Sequence, residues 1–255
     1  MTAAPEEPNQ QRAVVVLPTY NEAENLPGIV PAILQASPEL DVLVVDDNSP
    51  DGTGKLADDL ARTNPGRVTA LHRARKEGLG PAYLFGFARA LQLGYGRILQ
   101  MDADFSHDPA RLPALLAASR EVDVALGSRY VEGGGTLNWS LGRRLLSRGG
   151  SLYARIILGV PINDLTGGFK CYRREVLEAI ELGTMSSTGY AFQIELIYRV
   201  LRRGFSVREV PITFVDRRAG KSKMRGAIVA EAIWKVWKIR FDPAAQGSRP
   251  GTHSR

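Results

Sequence analysis

The chain has 255 residues, enough for one large domain or two small ones. Its 44% hydrophobic and 24% charged composition is that of an ordinary globular protein with a sizeable core. A net charge of +6 favours an acidic partner (nucleic acid, an anionic membrane surface or a phosphorylated substrate) without choosing among them, while the single cysteine, Cys171, excludes an internal disulfide and a cysteine metal cluster.

The N-terminus "MTAAPEEPNQQ" is polar and has no apolar signal core, so residues 1–12 are expected to be a disordered tail. No apolar run reaches the about 18 residues that a membrane span requires. "AVVVLP" (13–18) predicts a buried strand, and the next segment, 21–37, a helix with an irregular start at Pro27 and Pro31. "DVLVVDD" (41–47) is a second strand, "SPDGTGKLADDLARTN" a turn and helix, and "RVTALHR" a third strand. "GLGPAYLFGFARALQLGYG" is a helix ended by Gly94 and Gly96, and "RILQMDAD" (97–104) is the fourth strand. Asp108 as N-cap and Pro109 at the first position start the next helix, and "DVALGSR" is a fifth strand.

Apolar strands without alternation, separated by helices, predict an α/β fold with a mostly parallel central sheet and helices on both faces. The functional edge of such a sheet is the carboxyl rim of its strands. There lie "PTYNE", "DDNSPDGT", "RARKEGLG", "DADFSH" and "GSRY", the most polar stretches of this half. The second half is less regular. "LGRRLLSRGGSLYARIILG" is basic and helical with a break at Gly149–Gly150, and "NDLTGGFKCYRREVLEAI" is a turn followed by a helix. "STGYAFQIELIYRVLRRG" is an amphipathic helix, and "FSVREVPITFVDRR" a strand pair broken by Pro211. "MRGAIVAEAIWKVWKIR" (224–240) is a final amphipathic helix, and 241–255 a second disordered tail.

In an extended strand, residues i and i+2 share a face, so Asp102 and Asp104 aim together and Ala103 turns away. Two adjacent carboxylates repel unless a cation joins them, and Mg²⁺ or Mn²⁺ takes one or two carboxylates plus substrate phosphates. The alternative is a solvated turn with an N-cap. The strand before it and the polar loops beside it favour the metal clamp. Asp46 or Asp47 suits a bond to a base or ribose, Asp51 a turn cap, and Gly78 and Gly80 a plain turn or a close approach to a ligand.

"LPTYNEAENL", "VVDDNSPDGT", "GLGPAYLFGFARAL", "MDADFSHDP", "GSRY", "DLTGGFKCYRREVL", "GYAFQIEL" and "GKSKM" occur in that order. Together they resemble the polyprenol (dolichol) phosphate mannose synthases, inverting family-2 glycosyltransferases with a GT-A fold, in the short form without transmembrane helices. The resemblance spans residues 13–223, taken as the catalytic domain. It implies transfer of mannose from GDP-mannose to a polyprenyl phosphate, giving β-mannosyl phosphopolyprenol. By the same resemblance, Pro18, Tyr20, Glu22, Val45 and Asp47 hold the nucleoside. Asp102 and Asp104 bind Mg²⁺ or Mn²⁺ and, with Ala103, the donor diphosphate. Some members carry a Gln ligand two positions after the second Asp. Here that position is Ser106, so a water, Ser106 or His107 is the third ligand. Arg129, Arg143 and Ser147 match positions that hold the acceptor phosphate. Arg217, Arg218 and Lys223 match a lid over the donor phosphates.

The inventory suits the chemistry. A lipid phosphate is already anionic and needs alignment and charge relief, not a general base. Of the three histidines, His253 lies in the tail and His72 reads as structural. Asp164 and Glu195 stand as residues able to reach the site or as a turn cap and a paired helix face. The last helix puts Ile228, Val229, Ala232, Ile233, Val236 and Trp237 on one face and Glu231, Lys235 and Lys238 opposite, which suits a membrane interface or packing on the core. The basic stretch with Arg143, Arg144, Arg148 and Arg155 suits an acceptor groove beside anionic lipid or an ordinary solvated helix.

The expected partners are therefore GDP-mannose, a polyprenyl phosphate and the membrane surface, with a membrane-protein partner possible and no nucleic acid. The expected place is the cytoplasm, peripheral on the inner face of the cell membrane. The competing readings are transfer of glucose or another sugar from a UDP-sugar, a phosphoacceptor signalling domain, and a non-catalytic basic module binding membrane or nucleic acid. The second needs no D-x-D and half the length. The third needs one continuous basic stripe with stacking aromatics, whereas here three rim loops are acidic.

Overall fold

The structure is a computed structural model that describes residues 11–185, 187, 189–216 and 226–246. Strands β1 (Ala13–Thr19), β2 (Leu40–Asp46), β3 (Val68–His72), β4 (Arg97–Gln100) and β5 (Val124–Ser128) form where the apolar runs predict them. Helices α1 (Leu26–Ala36), α2 (Thr53–Thr63), α3 (Leu79–Gln92) and α4 (Leu112–Glu121) connect them in turn. A 3-10 turn at Pro109–Arg111 precedes α4, and Asp108 caps it by accepting the Ala110 N–H at 2.9 Å.

The second half corrects several expectations. Gly149 and Gly150 do not interrupt α5 (Leu141–Leu158), which runs unbroken from its Ser140 cap to Gly159. "FKCYR" is a strand, β7 (Lys170–Arg173), ahead of α6 (Arg174–Ala179). Helix α7 (Gly189–Arg202) is buried at every position from 191 to 200, so it is a core helix and not an amphipathic one. Pro211 ends β8 (Val207–Pro211). β9 (Thr213–Val215) leaves to pair with β6 (Gly135–Leu137), so the two strands do not pair with each other. α8 (Gly226–Phe241) is followed by α9 (Pro243–Gln246), whose Ala245 is fully buried, so the fold extends past 240. At the other end Arg12 belongs to the fold: its Nε donates to Asp41 at 2.7 Å.

The main sheet has seven strands in the order β3-β2-β1-β4-β7-β5-β8, and β7 alone runs antiparallel to its neighbours. Alternate residues feed two cores. Val14 and Val16 of β1 pack with Tyr83, Phe87 and Phe192, whereas Val15 and Leu17 pack with Ile29, Ile33 and Leu115. Both faces are thus covered, which is why the strands read as continuous apolar runs. The approach of α3 to β1 is set by Gly86: a Cβ there would lie 2.3 Å from Val16 Cγ1. Gly86→Ala is expected to lower stability by about 1–3 kcal/mol, the scale of an overpacked core. Urea unfolding checks this, with an unchanged slope and a lower midpoint as the expected result.

The reversed strand has a positional consequence. All strands but β7 end at one rim, and β7 begins there. The 164–169 turn is thereby delivered to the same edge as the loops after β1, β2, β4 and β5.

Candidate active site

The loops after β1 and β2 are tied together by Asp46, which accepts Thr19 Oγ1 at 3.1 Å and Ser49 N at 3.0 Å. Asp51 caps its turn as expected, accepting Thr53 N at 3.0 Å and Ala23 N at 3.1 Å. Pro18 and Val45 are register partners, and the Val45 side chain is fully buried against α3. Any contact of Val45 with a ligand is therefore through backbone. Asp47 accepts Arg73 Nη1 at 2.6 Å. Lys76 Nζ sits 3.5 Å from the centre of the Tyr20 ring, and Glu22 accepts Asn25 Nδ2 at 2.7 Å. Tyr20, Glu22 and Asp47 thus face one corner of the rim with two cations, Arg73 and Lys76, among them. Gly78, at φ +105°, holds a conformation that favours glycine, while a Cβ at Gly80 would meet Ser187 O and Phe192 at 3.1 Å. Gly80 serves packing.

β4 ends at Gln100, so Asp102 and Asp104 stand beyond the strand in a tight bend, not within it as expected. Both carboxylates act on the Tyr83 phenol, Asp102 through a hydrogen bond and its charge and Asp104 through its charge, and the bend turns at Phe105, which takes a left-handed conformation (φ +58°). Tyr83 Oη donates to Asp102 Oδ1 at 2.7 Å, and Ser106 N donates to Asp104 Oδ1 at 3.1 Å. Ala103 is buried between them. Burial first, then the charges of Asp102 and Asp104, push the Tyr83 phenol well above its ordinary value, so it stays a neutral donor. His107 is stacked on Phe169 at 5.0 Å, and its Nδ1 faces the Asp102 N–H at 3.5 Å, so that nitrogen is turned to backbone. Burial pushes His107 down to about 4, against the pull of Asp104.

Lys170, fully buried at the start of β7, donates to Gly167 O and Gln193 Oε1, both at 2.5 Å. Gln193 Oε1 also accepts Gln100 Nε2 at 2.8 Å. Burial pushes Lys170 down to about 7, against the pull of Asp164 and Asp102. The two carboxylates of the bend suit a divalent cation. Ser106 Oγ, on the same bend, is buried without a hydrogen-bond partner among the described residues and is available as a third oxygen. Among the described residues no cluster of three or more His, Cys, Asp or Glu is placed to hold a metal.

On the other side of the bend lies a cationic cluster. Arg129 Nε and Nη2 form a two-pronged pair with Asp164 at 2.7 and 2.6 Å, and Nη2 also reaches Thr166 Oγ1 at 2.8 Å. Glu209 of β8 holds the 163–164 turn by accepting the backbone N–H groups of Asn163 and Asp164 at 2.9 and 3.0 Å. Arg143 stacks 4.1 Å over Trp139 and donates to Asp216 at 2.7 Å, and Tyr130 Oη donates to Ser147 Oγ at 2.7 Å. Phe214 of β9 touches both halves, lying 5.2 Å from His107 and 5.3 Å from Trp139.

The structure therefore brings Arg129, Arg143 and Ser147 together and sets them beside the Asp102–Asp104 bend. Arg217, Arg218 and Lys223 lie outside the described residues. Glu195 is not at the site: it pairs with the buried Arg199 at 2.7 Å. The sequence does not single out Tyr83, Lys170, Trp139 or Phe214 as site residues: Tyr83 lies in a predicted helix, Lys170 in a segment read as a turn and helix, and Phe214 in a predicted strand pair.

A family model described as "Glycosyl transferase family 2" matches residues 14–181. The chain is 53% identical over 233 residues to a polyprenol monophosphomannose synthase of Mycolicibacterium smegmatis, covering 90% of this chain and 88% of the relative. It is 49% identical over 238 residues to an undecaprenyl-phosphate mannosyltransferase of Micrococcus luteus, covering 93% and 98%. Among solved structures, a glucosyl-3-phosphoglycerate synthase of Mycobacterium tuberculosis, in complex with Mn²⁺, uridine diphosphate and glucosyl-3-phosphoglycerate, superposes with a TM-score of 0.67 at 19% identity. That match covers 90% of this chain and 80% of the other. At that identity the likeness bears on the fold, and the fold is the GT-A arrangement that the family resemblance implied.

Proposed function

The chain belongs to glycosyl transferase family 2, and from that premise we propose that it transfers mannose from GDP-mannose to a polyprenyl phosphate, with inversion at the anomeric carbon. The observation that carries the reading is the juxtaposition on one rim of a carboxylate bend and a buried arginine–serine cluster. The first suits a metal-bound diphosphate, the second a phosphate nucleophile. Its product would be β-mannosyl phosphopolyprenol.

In this scheme Tyr20, Glu22 and Asp47, with the backbone at Pro18 and Val45, hold the guanosine. Asp102, Asp104 and Ser106 would hold Mg²⁺ or Mn²⁺, which when bound supplies charge neutralisation to the diphosphate. Ala103 contributes backbone to the same phosphates, and Arg217, Arg218 and Lys223 would close over them. Arg129, Arg143 and Ser147 align the acceptor phosphate and offset its repulsion from the donor. A phosphate oxygen forms the new bond to C1, and the C1–O bond to the diphosphate breaks with its electron pair leaving on GDP. The attacking oxygen carries no proton, so no side chain acts as base, in keeping with a site whose one histidine is buried and neutral.

Radiolabelled mannose offered as GDP-mannose with a polyprenyl phosphate is expected to enter the organic phase with Mg²⁺ or Mn²⁺ and to stay aqueous with EDTA. Label from UDP-glucose alone would replace the sugar and the nucleotide. No label from any donor would remove the enzymatic reading of this site.

The acceptor is a membrane lipid, and the second half of the fold offers a surface for its bilayer. No described helix is long and apolar enough to cross a membrane. α5 turns Ser147, Ser151 and Ala154 inward and leaves Leu141, Leu145, Leu152 and Ile156 exposed. α8, packed against α5, buries Val236 and Ile239 and exposes Trp234, Trp237 and Phe241. Trp237 is thus not on one face with Val236, as the helical wheel expects, but on an outward aromatic ridge. The side chains of Ile228, Val229, Ala232 and Ile233 lie outside the description. Arg144, Arg148, Arg155 and Lys238 are exposed on the same two helices, which suits anionic lipid at the inner face of the cell membrane. Leu145→Asp with Trp234→Asp is expected to cut binding to anionic vesicles about tenfold or more, from the apolar burial lost. Turnover of a short soluble acceptor should be unchanged. Equal losses in both assays would make these residues part of the catalytic fold.

A further inference from the structure

Trp139 lies between β6 and α5, where Asn138 takes a left-handed conformation (φ +61°) that swings the chain from the exposed Leu137 to the buried Trp139. Asparagine tolerates that conformation better than most residues. The indole is only 8% exposed. Its ring is held on two sides, edge-on against Phe214 at 5.3 Å and under the Arg143 guanidinium at 4.1 Å, with Arg129 at 5.4 Å. Its Nε1 is buried and has no hydrogen-bond partner among the described residues.

An indole N–H is a donor only, and a buried tryptophan usually finds an acceptor. A buried unpartnered donor is costly, so the site tolerates a loss in the free protein that a ligand would recover. Arg143 Nε, on the side chain stacked over this ring, is a second buried N–H without a partner among the described residues. Arg143 and Arg129 both lie against this ring, and Ser147 is tied to Tyr130, the neighbour of Arg129; an anion with several acceptor oxygens seated among these groups would satisfy the two unpaired N–H donors.

We propose that Trp139 is an acceptor-binding residue whose indole N–H donates to a phosphate oxygen of the polyprenyl phosphate, while its ring face holds Arg143 in position. The inference rests on the acceptor reading given above. It assigns to the loop before α5 a contact with substrate, where shape alone would make Trp139 a packing residue.

The probe is farnesyl phosphate, titrated calorimetrically into the full chain without donor. Trp139→Phe is expected to weaken its binding about tenfold or more, the range of one hydrogen bond to a charged group. KM for GDP-mannose should stay unchanged. The thermal midpoint should not fall through lost hydrogen bonding, since the N–H has no partner to lose. If the smaller ring loosens the fold, benzothienylalanine at position 139 keeps the bicyclic shape and removes only the N–H; the same weakening is expected. Unchanged farnesyl phosphate binding in both variants overturns the proposal, as does a loss confined to GDP-mannose. A wild-type chain that does not bind farnesyl phosphate at all overturns the acceptor reading itself, and the wild-type isotherm alone reveals that case.

Discussion

Asp104→Asn is expected to lower mannosyl transfer on the order of 10²–10³-fold, the scale of losing one preorganised charge-stabilising group, while the fold stays intact. The asparagine oxygen can still accept the Ser106 N–H that Asp104 Oδ1 accepts at 3.1 Å, so the bend keeps its tie and loses its charge. Asp104→Ala would remove that tie as well and leave a buried N–H without its carboxylate. Asp102 behaves differently. Its carboxylate is the acceptor of the fully buried Tyr83 phenol, so Asp102→Ala is expected to cost about 1–3 kcal/mol of stability in addition to activity. Single-turnover transfer, Mn²⁺ binding in the presence of GDP, and thermal unfolding separate the two effects. Full activity in Asp104→Asn would remove the metal clamp from the mechanism.

The contrast between these two aspartates marks where sequence reading stops. The D-x-D and its neighbours were legible because a parallel sheet shows its strands as short apolar runs and its rim as the polar stretches after them. β7 was not legible. Four residues between a double glycine and a helix carry no period of their own, and their place in mid-sheet comes from pairing with β4 and β5. With β7 missed, Lys170 looked like a turn residue and the 164–169 segment had no reason to reach the rim. α5 was misread in the opposite sense: Gly149 and Gly150 are exposed on the helix with open space around them, so they cost propensity without ending it. Tyr83 sits inside a predicted helix and Trp139 in a stretch to which the sequence assigns no element, and both are buried in the fold. The polar atom of Tyr83 matters because of what lies opposite, Asp102, 19 residues away in the chain.

Arg129 shows the same limit in its charge. The sequence presents a free arginine on a rim loop, whereas in the fold it is 8% exposed and locked to Asp164, 35 residues on. Burial pushes the Asp164 carboxyl up, but the Arg129 charge and its hydrogen bonds more than offset this and hold it below its ordinary value. A lowered carboxyl contributes stability that is complete above about pH 3.8 and is lost only as the pH falls further, so the pair is intact at neutral pH. Asp164→Ala is then expected to cost about 3–5 kcal/mol, because it strands a buried guanidinium, and to abolish acceptor use. The double variant Arg129→Met with Asp164→Leu should regain most of that stability, since an apolar pair of similar volume replaces the ions, and should remain inactive. Urea unfolding and the transfer assay read the two quantities separately. Recovered stability with recovered activity would make the pair a scaffold only. Recovered stability without activity would mean that the fold keeps a buried ion pair for the phosphate it meets, with Asp164 aiming Arg129 and leaving Arg143 and Ser147 to complete the contact.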